Sequence, residues 1–122
     1  MLRPAVLLVV AVILGSSCTE PQAGPVRIAA SHGRVVLANK TTVERFYYVA
    51  DPEWLALVEF FCAPEDCLSK RLAPLGSVDM AVDSAFGYSD KTRTLTAYHW
   101  RREIQNGRST VVDWQTTSVL IR

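Results

Sequence analysis

Three cysteines, two histidines and a scatter of acids are the residues of this 122-residue chain with the most chemical potential. A copper site of the cupredoxin kind needs a Cys, two His and an axial Met, with Cys, His and Met close together late in the chain. Here Met80 precedes the only late histidine, His99, and no cysteine follows Cys67. Zinc bound by Cys62, Cys67, His32 and His99 is a poorer account than a disulfide, because a cysteine pair in an exported protein oxidises. For acyl transfer, no serine sits in a Gly-x-Ser-x-Gly elbow, and His99 is the one candidate base. On a strand, His99 is expected to be a structural side chain with a hydrogen-bond partner. Glu53, Glu59, Asp79 and Asp83 read as solvated carboxylates rather than as a glycosidase pair. Catalytic groups, metal and cofactor are all expected to be absent. The aromatic residues are the remaining candidates. Trp54, Trp100, Trp114, Tyr47, Tyr48, Tyr88 and Tyr98 could stack a flat ligand such as a sugar, although strand aromatics more commonly pack a core. Trp100 and Tyr98 alternate with His99 and share a face with Thr94 and Thr96. They are therefore expected to be partly exposed and, with Trp54, to form any ligand or partner surface.

The elements that would position these residues begin after a leader. Met1-Leu2-Arg3 opens positively, and residues 5–14 are apolar without a break. Ten helical residues span about 15 Å, roughly half the hydrocarbon core of a bilayer. That length fits a secretory signal rather than a membrane anchor. The small residues Gly15-Ser16-Ser17 suit a peptidase cleft. Leu14-Gly15-Ser16-Ser17-Cys18 then resembles a bacterial lipobox, with Leu14 one step earlier than the usual place. The resemblance implies cleavage after Ser17 and diacylation of Cys18. The alternative is ordinary signal-peptidase cleavage without a lipid. Residues 18–25, rich in Pro, Gly and polar side chains, read as a linker, with the domain at 26–122.

Removing residues 1–17 takes away a single cation, Arg3, and leaves 105 residues with 12 Lys+Arg against 12 Asp+Glu. One domain with one core is the most that such a length supports. Net zero charge without a basic cluster in sequence excludes the nucleic-acid binders. Cys62 and Cys67 are separated by four residues, close enough to pair. Their disulfide would leave Cys18 the odd cysteine, and acylation would remove a free thiol from an oxidising compartment. A ring this small contributes on the order of 2 kcal/mol through chain entropy.

Within the domain, short apolar and β-branched segments alternate with turn signals. Strands are expected at 26–29, 35–38, 43–50, 77–83, 93–101, 110–114 and 118–121. Asp51-Pro52-Glu53 reads as a helix start, with an N-cap, a Pro at the first position and an acid in the first turn. A helical turn near 51–56 is therefore expected before a strand reaching Phe61. Leu72 to Gly76 reads as a turn, and Asn106-Gly107 as a hairpin turn. The pattern predicts an all-β, immunoglobulin-like, two-sheet antiparallel sandwich of about seven strands.

The polar Asn39-Lys40-Thr41-Thr42, the aromatic Phe46-Tyr47-Tyr48, the loop from Cys62 to Cys67, Pro74-Leu75-Gly76 and Tyr98-His99-Trp100 together resemble small uncharacterised bacterial lipoproteins with a β-sandwich domain. The resemblance covers roughly residues 26–102 and implies no activity. The expected protein is exported and lipid-anchored through Cys18 at the cell envelope. Its role is expected to be structural or protein-binding, with a glycan-binding module as the alternative.

Overall fold

The structure is a computed structural model that describes residues 24–54 and 63–122. The segment expected to be a signal (residues 1–17), Cys18, Cys62 and the strand expected up to Phe61 lie outside the described residues. Among the described residues, seven strands form two antiparallel sheets. The first sheet takes β1 (Val26–Ser31), β2 (Arg34–Asn39) and β5 (Ser77–Ala81) in the order β1-β2-β5. The second takes β3 (Arg45–Ala50), β4 (Lys70–Leu72), β6 (Thr94–Gln105) and β7 (Arg108–Leu120) in the order β4-β3-β6-β7. Sheet changes after β2, β4 and β5 give the immunoglobulin-like arrangement, with the fourth strand on the sheet of the third.

Alternation explains which residues meet between the sheets. Val26 and Ile28, Val35 and Leu37, Tyr47 and Val49, and Leu95 and Ala97 point inward every second residue and form the main core. Val78 and Met80 pack at its margin, while Asp79 on the wet side of β5 pairs with Arg34 at 3.0 Å. Asn106 (φ 53°) and Gly107 (φ 76°) both sit at positive φ, the geometry of a type I′ hairpin. His32-Gly33 makes the same turn between β1 and β2.

Several features differ from the expectations. The strand expected to reach Asp83 ends at Ala81, where Val82–Ser84 turns as a 3-10 helix. The strand expected to end at Arg101 runs on to Gln105. Lys70–Leu72 is a strand, paired with residues 45–47, although it is too short to alternate visibly. Pro64–Cys67 forms a single helical turn. The two strands expected at 110–114 and 118–121 are one, interrupted by a bulge where Trp100 alone faces Asp113 and Trp114. Asp113 takes φ 56° there, a conformation that Asp tolerates better than most side chains. The extra residue resets the alternation, so Val111 and Trp114 lie on the same outer face.

Residues 52–54 are helical, and Glu53 N–H donates to the Asp51 carboxylate at 2.9 Å as an N-cap. Trp54 stacks on Phe86, centroids 5.4 Å apart. Gly87, at φ 74°, lies directly beneath it, and a Cβ there would overlap the Trp54 Cβ. Gly87→Ala is therefore expected to destabilise the fold by about 1–3 kcal/mol, combining strain at positive φ with overpacking. A denaturant midpoint equal to wild type would contradict this packing.

Candidate functional site

The outer face of the four-stranded sheet carries a second apolar layer. Phe46, Tyr48 and Ala50 on β3 stand beside Tyr98 and Trp100 on β6. Leu68, Trp54 and Phe86 close over them from the flanking loops. Tyr48 stacks on Tyr98 with centroids 4.8 Å apart, and Trp100 stacks on Trp114 at 5.0 Å. Trp100 and Tyr98 are not partly exposed as their alternation suggests. Trp100 is fully buried and Tyr98 is 8% exposed. Their face does point away from the main core, as the alternation required, but neighbouring loops cover it. Trp54 is half-buried on Phe86. Among the described residues the exposed aromatic on this face is Trp114, 43% accessible at the bulge. The Trp100 indole Nε1–H is buried without a hydrogen-bond acceptor among the described residues.

On the inner side of the same sheet, a polar network replaces the apolar core at one end. Arg45 is buried and spans from β3 under β6 to β7. Its Nε donates to His99 Nδ1 at 3.1 Å, one terminal nitrogen donates to the Asp113 carboxylate at 2.9 Å, and the other to the Asp113 carbonyl at 2.9 Å. Gln115 Nε2 donates to the other Asp113 carboxylate oxygen at 2.6 Å. Because Nδ1 accepts, the neutral imidazole carries its proton on Nε2. Burial, then the nearby Arg45 cation, push the His99 pKa down to about 4, while Asp113 pulls the other way. Hydrogen bonds from Gln115 and Arg45 hold the Asp113 carboxyl below its ordinary range.

This constellation has the residue types of an acid–base site and the connectivity of a brace. The imidazole nitrogen that could act as a base is occupied by a cation, and the carboxylate is held by two donors. It ties three strands of the sheet together where β7 bulges. The hydrogen-bond partner expected for His99 is Arg45, which Asp113 holds in turn. The available signal was Arg45 itself, in phase with the inward-facing Tyr47 and Val49.

Asp79 and Asp83 are exposed on and just beyond β5, and Glu53 is exposed in the helical turn. His32 sits at the exposed β1–β2 turn. The structure thus separates Glu53, Asp79 and His32 from His99. No group of three or more His, Cys, Asp or Glu suited to a metal ion occurs among the described residues. No helix among them is long and apolar enough to cross a membrane. Comparison with protein-family models, curated proteins and solved structures finds no match to the chain.

Proposed function

We propose that the chain is exported, cleaved after Ser17 and acylated on Cys18, and that it serves at the cell envelope as a non-catalytic sandwich holding an extended segment of a protein partner along β7. The observation that carries the partner reading is the edge position of β7. This 13-residue strand borders the second sheet. Among the described residues no strand pairs with its outer side. Trp114, Thr116, Ser118 and Leu120 are exposed along it in strict alternation. Backbone groups along such an edge supply affinity to an added strand, and alternate side chains supply selectivity. A photo-cross-linking residue at Thr116 is expected to capture an envelope protein that the same residue at Arg27 does not. Equal capture from both positions would defeat the edge reading.

The anchor rests on the lipobox-like start and the cysteine count. Cys67 N–H donates to the Ala63 carbonyl at 3.3 Å, which folds Cys67 back beside the neighbour of Cys62 and favours a Cys62–Cys67 disulfide. Intact-mass spectrometry of the expressed protein is expected to show a diacylglyceryl adduct that Cys18→Ala abolishes, together with the loss of two hydrogens. A mature chain starting at residue 18 without the adduct would refute lipidation.

A second reading follows from Trp114. Its half-exposed ring, braced from behind by Trp100, offers a face on which a sugar could stack. Loss of glycan binding in Trp114→Ala, with stability retained, would favour it over a protein partner.

A further inference from the structure

The loops at one end of the sandwich are fastened to the point where the chain enters it. Lys40 N–H donates to the Pro25 carbonyl at 2.7 Å, and Asn39 N–H to Gly76 at 2.8 Å. Leu75 N–H donates to Thr41 at 2.8 Å. The buried Asn39 side chain joins the two loops by donating to the carbonyls of Val43 and Ala73. β6 runs antiparallel to β3 and continues past Arg45, so the β6–β7 hairpin projects from this same end.

Apolar side chains are presented at this end by two loops and the β6–β7 hairpin. Val43 is half-exposed, Leu75 is 67% exposed and Ile104 on the hairpin is 73% exposed. Leu75 occupies an unusual place. Gly76 N–H donates to Ala73 at 2.9 Å across Pro74-Leu75, and Leu75 takes φ 55°. This is the turn position that favours Gly or Asn, so a leucine there is strained as well as exposed.

Charge is also concentrated here. Residues 40–44, 70–76 and 101–109 hold six Lys+Arg against two acids, Glu44 and Glu103, although the segment after residue 17 is neutral in total. Arg101 and Arg102 pair with Glu103 and Asp66. Lys40, Lys70 and Arg108 pair with no carboxylate among the described residues.

We infer that this end of the sandwich is a membrane-contacting surface, seating Val43, Leu75 and Ile104 in the interface of an anionic bilayer with the surrounding cations over its headgroups. The inference rests on acylation of Cys18. Five residues separate Cys18 from Gly24, and six extended steps of chain place the entry point of the sandwich within about 20 Å of the acylated residue. Exposed apolar residues ringed by Lys and Arg complement a surface with apolar depth and negative headgroups. A tether this short brings that end, rather than the Leu120 end, to the membrane.

The test uses the full-length lipidated protein, carrying Leu75→Trp or Leu120→Trp, on phosphatidylglycerol-containing vesicles with brominated acyl chains. Leu120 is as exposed as Leu75, at 68%, but lies at the opposite end. The added emission of Leu75→Trp is expected to fall at least twofold relative to unbrominated vesicles, and that of Leu120→Trp to be unchanged. Vesicle-bound protein in which neither added Trp is quenched, or only the one at 120, overturns this surface and leaves the anchor standing. Protein that fails to float with vesicles and shows unmodified Cys18 by mass overturns both.

Discussion

Trp100→Ala is expected to lower the stability of the domain by about 3–5 kcal/mol, the usual range for truncating a buried large aromatic. The side chain is fully buried. Its ring lies on Trp114 at 5.0 Å and Phe46 at 6.4 Å, with Tyr48 edge-on at 5.9 Å. Its removal opens the centre of the outer layer, where rings from β3, β6 and β7 meet. Domains of this size hold about 5–15 kcal/mol in total, so the variant would be marginal at best. Each kcal/mol shifts the Tm of a small domain by about 4–8 °C, so a Tm lower by about 15 °C or more is expected in calorimetry. Trp100→Phe separates packing from hydrogen bonding. The indole N–H has no acceptor among the described residues, so its loss sacrifices no bond to them, and the remaining ring keeps much of the stacking. That variant is expected to lose about 1–2 kcal/mol, through reduced volume alone. A Trp100→Ala protein within 1 kcal/mol of wild type would show that the outer layer is a loose cover rather than a second core.

The outer layer also shows where the sequence could be read and where it could not. Period-two alternation on β6 separates Leu95, Ala97 and His99 from Thr96, Tyr98 and Trp100, and the structure keeps those faces. Alternation does not reveal what lies on top of a face. Thr94 and Thr96 beside the rings pointed to solvent, yet Leu68, Trp54 and Phe86 arrive from loops distant in sequence to cover them. Turn chemistry was legible because Asn106-Gly107 requires a specific backbone geometry. β4 was not, since three residues cannot show a period. On β7 the bulge at Asp113 shifts the alternation midway, so one long strand read as two short ones. The same shift hid the Arg45 network. Arg45 in an inward phase demanded a partner, but the acid that answers it sits at the one position of β7 where counting by twos fails.

That network makes the fold sensitive to acid, and the sign follows from His99. Its pKa in the folded protein is about 4, against an ordinary 6.5. Between these values the unfolded chain binds a proton that the native imidazole refuses, because burial and then Arg45 oppose a second positive charge. The stabilisation is therefore fully present above about pH 6.5 and is lost as the pH falls towards 4. A displacement of this size corresponds to about 3 kcal/mol in the limit. Asp113, whose folded pKa is also depressed, adds a loss at lower pH still, as its carboxylate is protonated. That second loss is moderated by solvent, since the Asp113 side chain is 36% exposed. Urea midpoints are expected to fall between neutral pH and pH 4. His99→Asn, whose carbonyl can accept from Arg45 Nε without titrating, should flatten the fall. Arg45→Met is expected to cost about 2–4 kcal/mol at neutral pH, by orphaning His99 Nδ1 and shortening the contact across three strands. It should also reduce the pH dependence, since the second cause of the His99 shift is gone while burial remains. Equal acid sensitivity in wild type and His99→Asn would place the titrating group elsewhere. A flat wild-type profile would mean that the imidazole accepts its proton in place, by turning away from Arg45.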